Sequence, residues 1–148
     1  MKQILVATDG SESAEHAVSQ AIGLARSNGA KLVVAHVRHA PLPVLGEPVY
    51  QRSLSRELRL AQETTGLAAA AACGAGLAVD VEVVEGKPAD RIIELARVRD
   101  VDLIVVGSRG LGTLAGTLLG SVSREVVQRA DRPVLVATRR AARSRRAA

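Results

Sequence analysis

The sequence predicts one α/β domain, a Rossmann-like, doubly wound parallel sheet of five strands with helices on both faces. Short aliphatic runs alternate along the 148 residues with longer segments whose apolar residues recur at helical spacing. Strands that alternate with helices pair in parallel and are covered on both sides. With the first strand central and the fourth beside it, the predicted strand order is 3-2-1-4-5. The core must be aliphatic, since Tyr50 is the only aromatic residue.

Five aliphatic runs are predicted to be strands. The first ends at a turn, Asp9-Gly10-Ser11. The third alternates valine with acidic residues, as in an edge strand with one wetter face. The fourth is apolar throughout, which predicts burial on both faces. The runs occupy residues 3–8, 31–37, 76–86, 101–107 and 132–138.

Four segments between these runs are predicted to be helices. Ser11 or Ser13 can cap the first helix, Gly29 can end it, and Pro88 opens the third. Residues 38–49 contain three prolines and are predicted to be an irregular surface loop. One stripe of the second helix is predicted from Leu54, Leu58, Ala61, Thr65 and Ala68. The helical segments are 13–29, 50–73, 88–100 and 121–130.

The charge is concentrated at one end of the chain. The net charge is +5, and residues 139–148 hold five arginines and no acidic residue, so residues 1–138 are formally neutral. A nucleic-acid-binding domain carries its basic patch on the folded body. We therefore predict a domain over 1–138, a basic, disordered tail over 139–148, and no specific nucleic-acid partner.

Other features of the sequence argue against a disulfide-bonded, membrane-spanning or metal-binding protein. A single cysteine, Cys73, rules out an internal disulfide, and its alanine-rich surroundings predict a small buried thiol. No apolar run reaches the roughly 18 residues of a membrane span, and no signal peptide opens the chain. The sequence thus predicts a soluble, cytoplasmic protein. The pair His36 and His39 gives no shared face for a metal ion, and Glu82 with Glu85 is predicted to be a solvated edge.

The segment GSRGLGTLAGTLLGS, residues 107–121, contains five glycines between the fourth strand and the last helix. Parallel sheets bind ligands beyond the carboxyl ends of their strands, where the strand order reverses. Here the reversal falls between the first and fourth strands. Glycines let the main chain approach an anion, and the first amides of the following helix attract negative charge. The pattern therefore predicts a phosphate-binding loop.

Two common phosphate motifs do not fit the loop. No lysine follows any glycine of residues 107–121, as G-x-x-x-x-G-K-[ST] would require. Residues 110–115 match G-x-G-x-x-A, but the next strand ends at Thr138 without the acidic residue of a dinucleotide site.

The spacing Gly107-x-x-Gly110, nine residues, Gly120-Ser121 resembles the ATP-binding signature of the universal stress protein family. The segments ILVATDGSESAEHAV, KLVVAHV, DLIVVGSRG and LLGSVSREVVQRADRPVLVA also resemble that family, over nearly the whole chain. The resemblance implies ATP between the first and fourth strands. It also implies a homodimer through the last strand, that is Val134, Leu135 and Val136.

The resemblance also implies the residues of the site. Asp9 is expected near the ribose or phosphates, and Val37 near adenine. Apart from the resemblance, the Asp9 carboxylate could hold Mg²⁺ or could fix the turn before the first helix, and the two roles are compatible. The glycine signature and Val122 are expected along the triphosphate. The expected cofactor-binding residues are Ala7, Thr8, Asp9, Val37, Gly107, Ser108, Arg109, Gly110, Gly112, Thr113, Thr117, Gly120, Ser121 and Val122.

Three hypotheses of function stay open at this point. The first is an ATP-binding regulatory protein of the stress response. The second is a slow ATPase or autokinase, for which the loop hydroxyls provide acceptors. However, residues 107–121 contain no glutamate or glutamine to position water, so no catalytic residue is assigned. The third is a nucleotide-free dimeric interaction module.

Overall fold

Five parallel strands form one sheet within residues 1–109 and 119–138, the part of the chain that the computed structural model describes. Their order is β3-β2-β1-β4-β5, which confirms the order predicted from the sequence. The buried strand β1 lies between β2 and β4, with Val6 opposite Val34 on one side and Val105 on the other. The strands are β1 (Gln3–Ala7), β2 (Lys31–Arg38), β3 (Val79–Glu85), β4 (Leu103–Gly107) and β5 (Val134–Ala137).

Helices cover both faces of this sheet. Alternate residues of β1 point to opposite faces. Ile4 packs with alanines of the first two helices, whereas Leu5 packs with Ile92 and Val126 of the last two. The helices are α1 (Glu12–Asn28), α2 (Glu47–Gly74), α3 (Pro88–Val98) and α4 (Ser121–Arg129).

The ends of α1 follow from local chemistry. Ser11 is the N-cap residue, and its hydroxyl accepts a hydrogen bond from the Ala14 amide at 3.2 Å. Gly29 ends the helix with a φ of 63°, a left-handed conformation that glycine adopts without strain. Both helix signals read from the sequence are confirmed, with Ser11 rather than Ser13 as the cap.

The segment before α2 is more regular than predicted. Residues 38–49 were expected to be irregular throughout, and this is wrong. Pro43–Leu45 form a 3₁₀ turn, and α2 already begins at Glu47 with a proline in its first turn. Proline is tolerated there because the first amides of a helix have no intrahelical partner. Proline therefore marks the start of this helix.

Helix α2 buries small residues rather than leucines. Ala61, Thr65 and Ala68 are buried as the predicted stripe requires, but Leu58 is 41% exposed. Cys73 is also exposed, so the predicted buried thiol is wrong. Its neighbour Ala72 is the residue of that last turn that faces the core.

The edge strand β3 is stabilised by ion pairs on one side. Lys31 lies 2.6 Å from Asp80, and Arg99 bridges Asp80 and Glu82. The hydrogen bond from Lys31 is the main cause that holds the pKa of Asp80 below its usual value. The alternation of the two faces along β3 is confirmed, but the face that carries Val81 and Val83 is the more exposed one. The predicted solvated Glu82 is in fact ion-paired.

No helix in the described ranges is long and apolar enough to cross a membrane.

Candidate functional site

A cavity of about 590 Å³ opens at the carboxyl ends of β1, β2 and β4. Its volume lies within the usual range of ligand pockets. It occupies the position where the order of an open parallel sheet reverses. We call it the strand-end cavity. It is lined by Ala7, Thr8, Asp9, Ala14, Ala35, His36, Val37, His39, Glu57, Leu60, Pro88, Ile92, Val106, Gly107, Arg109, Gly120, Ser121, Val122 and Ser123.

The turn after β1 forms one wall of this cavity. The Thr8 amide donates to the Ala35 carbonyl at 2.9 Å, which continues the β1–β2 pairing by one residue. The Asp9 carboxylate accepts a hydrogen bond from the Ser11 amide at 2.9 Å. This bond fixes the carboxylate at the entrance of α1. The turn therefore presents a carboxylate and main-chain groups in a defined conformation.

The buried His36 holds the same turn from β2. Its Nδ1 atom lies 2.9 Å from the Thr8 carbonyl oxygen, and the residue is 4% exposed. A ring nitrogen at this distance from a carbonyl must carry its proton to make a hydrogen bond. His36 thus ties the end of β1 to β2, a structural role for which its apolar strand gave no specific signal.

Gly107, at the end of β4, packs directly against α1. A β-carbon at Gly107 would lie 2.7 Å from the Ser13 hydroxyl oxygen and 2.8 Å from its carbonyl oxygen. Contacts this short do not occur between real side chains and backbone. Within the described residues, Gly107 is glycine because α1 fills the space of a side chain. The sequence suggested only that glycine lets the chain approach an anion.

Hydrogen bonds join the two ends of the glycine-rich segment. The Ser108 carbonyl accepts the Gly120 amide at 2.7 Å and the Ser123 hydroxyl at 3.2 Å. The Ser13 hydroxyl accepts the Arg109 amide at 3.0 Å. The chain therefore leaves β4 and enters α4 at one closed neck, beside the strand-end cavity.

The start of α4 faces the cavity, and no side chain of residues 1–109 or 119–138 caps it. Gly120 is the N-cap residue, and it offers no side-chain acceptor to the first amides of the helix. Ser121 is the first helical residue. The first turn contains no acidic residue. Unpaired amides and the helix dipole make such a helix start attractive to an anion.

The opposite end of the cavity has different chemistry. Val37 lies near the end of β2, and His39 follows that strand. Glu57 and Leu60 belong to α2, and Pro88 begins α3. The surfaces here are mainly apolar, with one carboxylate and one imidazole. A flat, uncharged group suits this end better than a phosphate does.

Most of the residues expected from the sequence come together in the cavity. Nine of them line it, namely Ala7, Thr8, Asp9, Val37, Gly107, Arg109, Gly120, Ser121 and Val122. Ser108 lies behind the wall and contributes its carbonyl to the neck. The remaining four, Gly110, Gly112, Thr113 and Thr117, lie outside the described residues.

Sequence reasoning missed the residues that α2 and α3 bring to the cavity. Glu57, Leu60 and Ile92 lie on helices whose periodicity predicts a core face but not which residue reaches past the sheet edge. Ser13 and Ser123 were also missed as the hydroxyls that close the neck. The role of Ser123 could have been predicted from the sequence, because a serine near the start of a helix can donate a hydrogen bond to a carbonyl three or four residues earlier.

A complete metal site is not present in the part of the chain described. No group of three or more His, Cys, Asp or Glu side chains there is placed to hold an ion. Asp9 contributes a carboxylate to the cavity wall just before the start of α1. Magnesium is often held by one or two carboxylates together with the phosphates of a ligand. Asp9 therefore fits a Mg²⁺ ion only if the phosphates of a bound ligand coordinate the same ion.

Comparisons with known proteins agree with this architecture. The profile of the universal stress protein family matches residues 1–138. A universal stress protein from the QAH/OAS sulfhydrylase 3′ region of Thermus aquaticus is 40% identical over 136 residues, which cover 91% of this chain and 97% of that protein.

Solved structures give the same result. Universal stress protein UspA from Lactobacillus plantarum superposes with a TM-score of 0.84 at 26% identity, and the match covers 93% of this chain and 97% of that one. A universal stress protein solved in complex with cAMP has a TM-score of 0.69 at 32% identity, with the same two coverages. By sequence and by fold, the chain belongs to the universal stress protein family.

Proposed function

We propose that this protein is an ATP-binding regulator of the stress response that holds the nucleotide in the strand-end cavity. The observation that carries the proposal is the uncapped start of α4 beside the closed neck of the glycine-rich segment, at one end of a cavity of about 590 Å³. Anion-attracting amides lie at one end and apolar surfaces at the other. This arrangement matches a nucleotide, which has charged phosphates at one end and an uncharged base at the other.

The phosphates are assigned to the α4 end. Gly120 has no side chain to obstruct the helix amides, and the exposed Arg109 on the cavity wall supplies positive charge. Ser121 and Val122 follow in the first turn. By the glycine signature, Gly110, Gly112, Thr113 and Thr117 complete the phosphate contacts, which remains a prediction from the sequence.

The nucleoside is assigned to the β1 and β2 end. Ala7, Thr8 and Val37 present main chain and small side chains there, and Asp9 follows β1, the strand that lies between β2 and β4. The relative solved with cAMP supports an adenine nucleotide. Asp9 would hold Mg²⁺ jointly with the phosphates, where the ion would neutralise part of their charge.

Binding would regulate the protein by changing populations of conformers. A ligand shifts an equilibrium only as far as its affinity differs between the two states. The neck between Ser108 and Gly120 is the part that a bound triphosphate would contact directly. Because the ligand is ATP, we also propose that the protein acts in the cytoplasm.

We further propose a homodimer through β5. This strand is at the edge of the sheet, and Val134, Leu135 and Val136 are only partly buried in one copy of the chain. An exposed apolar edge strand is a template for pairing with a second strand. Leu135→Arg should convert a dimer to a monomer in analytical ultracentrifugation. A wild-type protein that sediments as a monomer contradicts the dimer.

Calorimetry of Gly120→Glu tests nucleotide binding. The new carboxylate would stand at the helix start and repel the phosphates, so affinity for ATP should fall at least about tenfold. Gly66→Glu is the matched control, because a β-carbon at Gly66 in α2 meets nothing within 4 Å. Unchanged ATP affinity in a folded Gly120→Glu variant overturns the proposal.

A further inference from the structure

Glu57 lies in the wall of the strand-end cavity, and its carboxylate has no partner among the residues that the structure describes. The residue is partly buried in α2. Within residues 1–109 and 119–138 it makes no hydrogen bond and no ion pair, including with His39 of the same wall. Asp9, the other carboxylate of the cavity, is held by the Ser11 amide. The carboxylate of Glu57 is therefore able to accept a hydrogen bond from a ligand in the cavity.

Glu57 lies at the end of the cavity away from the anion-attracting amides. It comes from α2, which packs over β2 and β3, whereas Gly107 ends β4 and Gly120 precedes α4. Strands β2 and β4 flank β1, so their ends are roughly 10 Å apart. A nucleotide that places its phosphates at Gly120 brings its base toward Glu57.

The chemistry of a carboxylate decides which part of a nucleotide it can contact. A carboxylate accepts hydrogen bonds and donates none, and phosphate oxygens are also acceptors. Glu57 must therefore meet a donor on the nucleoside. Leu60 lies one helical turn along α2 on the same side, and Pro88 and Ile92 provide further apolar surface. Such surfaces accept the faces of a flat ring and leave its edge toward Glu57.

We propose that Glu57 reads the base: its carboxylate accepts a hydrogen bond from the exocyclic amino group of adenine and disfavours a 6-oxo purine. A 6-oxo group would place a second acceptor against the carboxylate and leave both without a proton. The inference rests on the proposed function, since it assigns the specificity of the same cavity. Glu57 then determines which nucleotide the cavity accepts.

The test compares AMP with IMP, which has an oxo group in place of this amino group and a proton on N1. A wild-type preference for IMP would show that Glu57 accepts from N1–H instead, and would overturn the inference. Calorimetry should show wild-type protein preferring AMP by about tenfold or more. Glu57→Gln keeps the side-chain length but can donate to a 6-oxo group, so the preference should fall to within about threefold, largely through tighter binding of IMP. Glu63→Gln, an exposed carboxylate of the same helix, is the control and should keep the wild-type preference.

The alternative contact is a ribose hydroxyl, and 2′-deoxy-AMP and 3′-deoxy-AMP distinguish it. If Glu57 binds ribose, Glu57→Gln weakens AMP and IMP equally, and one deoxy analogue loses its sensitivity to the variant. That result overturns the inference but leaves nucleotide binding intact. An unchanged AMP preference in Glu57→Gln does the same. A wild-type protein that binds no purine nucleotide overturns both this inference and the proposed function.

Discussion

Gly107 and Ser13 are in direct contact where the end of β4 meets the first turn of α1. The space that a β-carbon of Gly107 would occupy is filled by the hydroxyl, the carbonyl carbon and the carbonyl oxygen of Ser13, all within 2.8 Å. Two of these three atoms are main chain. The contact therefore fixes the distance between helix and strand and does not depend on the side chain of Ser13.

Gly107→Ala should destabilise the protein, because α1 must move away from β4 to admit the methyl group. Overpacking of this kind costs about 1–3 kcal/mol in the free energy of unfolding, measured by urea denaturation. Gly66→Ala, with open space around it in α2, should instead stabilise by about 0.5–1 kcal/mol.

The double variant Ser13→Gly/Gly107→Ala separates the effect of the Ser13 hydroxyl from that of the Ser13 main chain. Removing the Ser13 side chain leaves its carbonyl oxygen 2.8 Å from the new β-carbon. Stability should therefore not recover. Full recovery in the double variant would show that the hydroxyl, and not the main chain, sets the packing.

The fold was predictable because it depends on residue patterns that the sequence displays directly. Aliphatic runs such as the one ending in Val6 are buried on both faces, and their alternation with helices fixes a parallel sheet. The helix start at Ser11 and stop at Gly29 are local signals. The start of α2 was misplaced because proline was read as a breaker, although the first turn of a helix accepts it.

The candidate site was predictable only in part. Its residues at strand ends, such as Asp9 and Val37, were expected from the resemblance to the family, and their position agrees with the sheet topology. Glu57 depends on the angle at which α2 crosses the sheet, which no short-range pattern records. The role of Gly107 was also hidden, because its contact partner Ser13 is 94 positions away in the chain.

Ser123→Ala should loosen the neck of the glycine-rich segment. The buried Ser123 hydroxyl donates toward the carbonyls of Ser108 at 3.2 Å and Gly120 at 3.0 Å. Its loss should lower stability by about 1 kcal/mol and weaken ATP binding several-fold, by thermal denaturation and calorimetry. Ser27→Ala removes a similar hydroxyl bond from the exposed face of α1, remote from the cavity, and should leave ATP affinity unchanged. Equal ATP affinities in the two variants would contradict a role for the neck in binding.

Asp9→Asn should act through Mg²⁺. If Asp9 shares the ion with the phosphates, the variant should lose about tenfold in affinity for ATP in the presence of Mg²⁺. Its affinity for ATP in EDTA should change much less, because no ion then bridges the two. The amide keeps an oxygen that can accept from the Ser11 main chain, so the turn should persist. A loss of the same size with and without Mg²⁺ would show that Asp9 contacts the nucleotide itself.

Asp102 should make stability depend on pH below about 4. One oxygen of its carboxylate accepts the amides of Gln3 at 2.9 Å and Lys2 at 2.5 Å, which joins the start of β4 to the start of β1. These hydrogen bonds, first that of Gln3, hold the pKa of Asp102 below the ordinary value of 3.8.

A carboxyl group with a lowered pKa in the folded state stabilises that state above its unfolded pKa. The contribution is lost as the pH falls through the folded value. Asp102→Asn should therefore differ most from wild type in the free energy of unfolding at neutral pH, and the difference should shrink as the pH falls below 3.8. Asp80 and Asp90 also have lowered pKa values, but they are present in both proteins and cancel in the comparison. Urea denaturation between pH 7 and pH 2.5 measures the difference directly. A difference that stays constant over this range would mean that the carboxylate charge of Asp102 does not stabilise the joined strand ends.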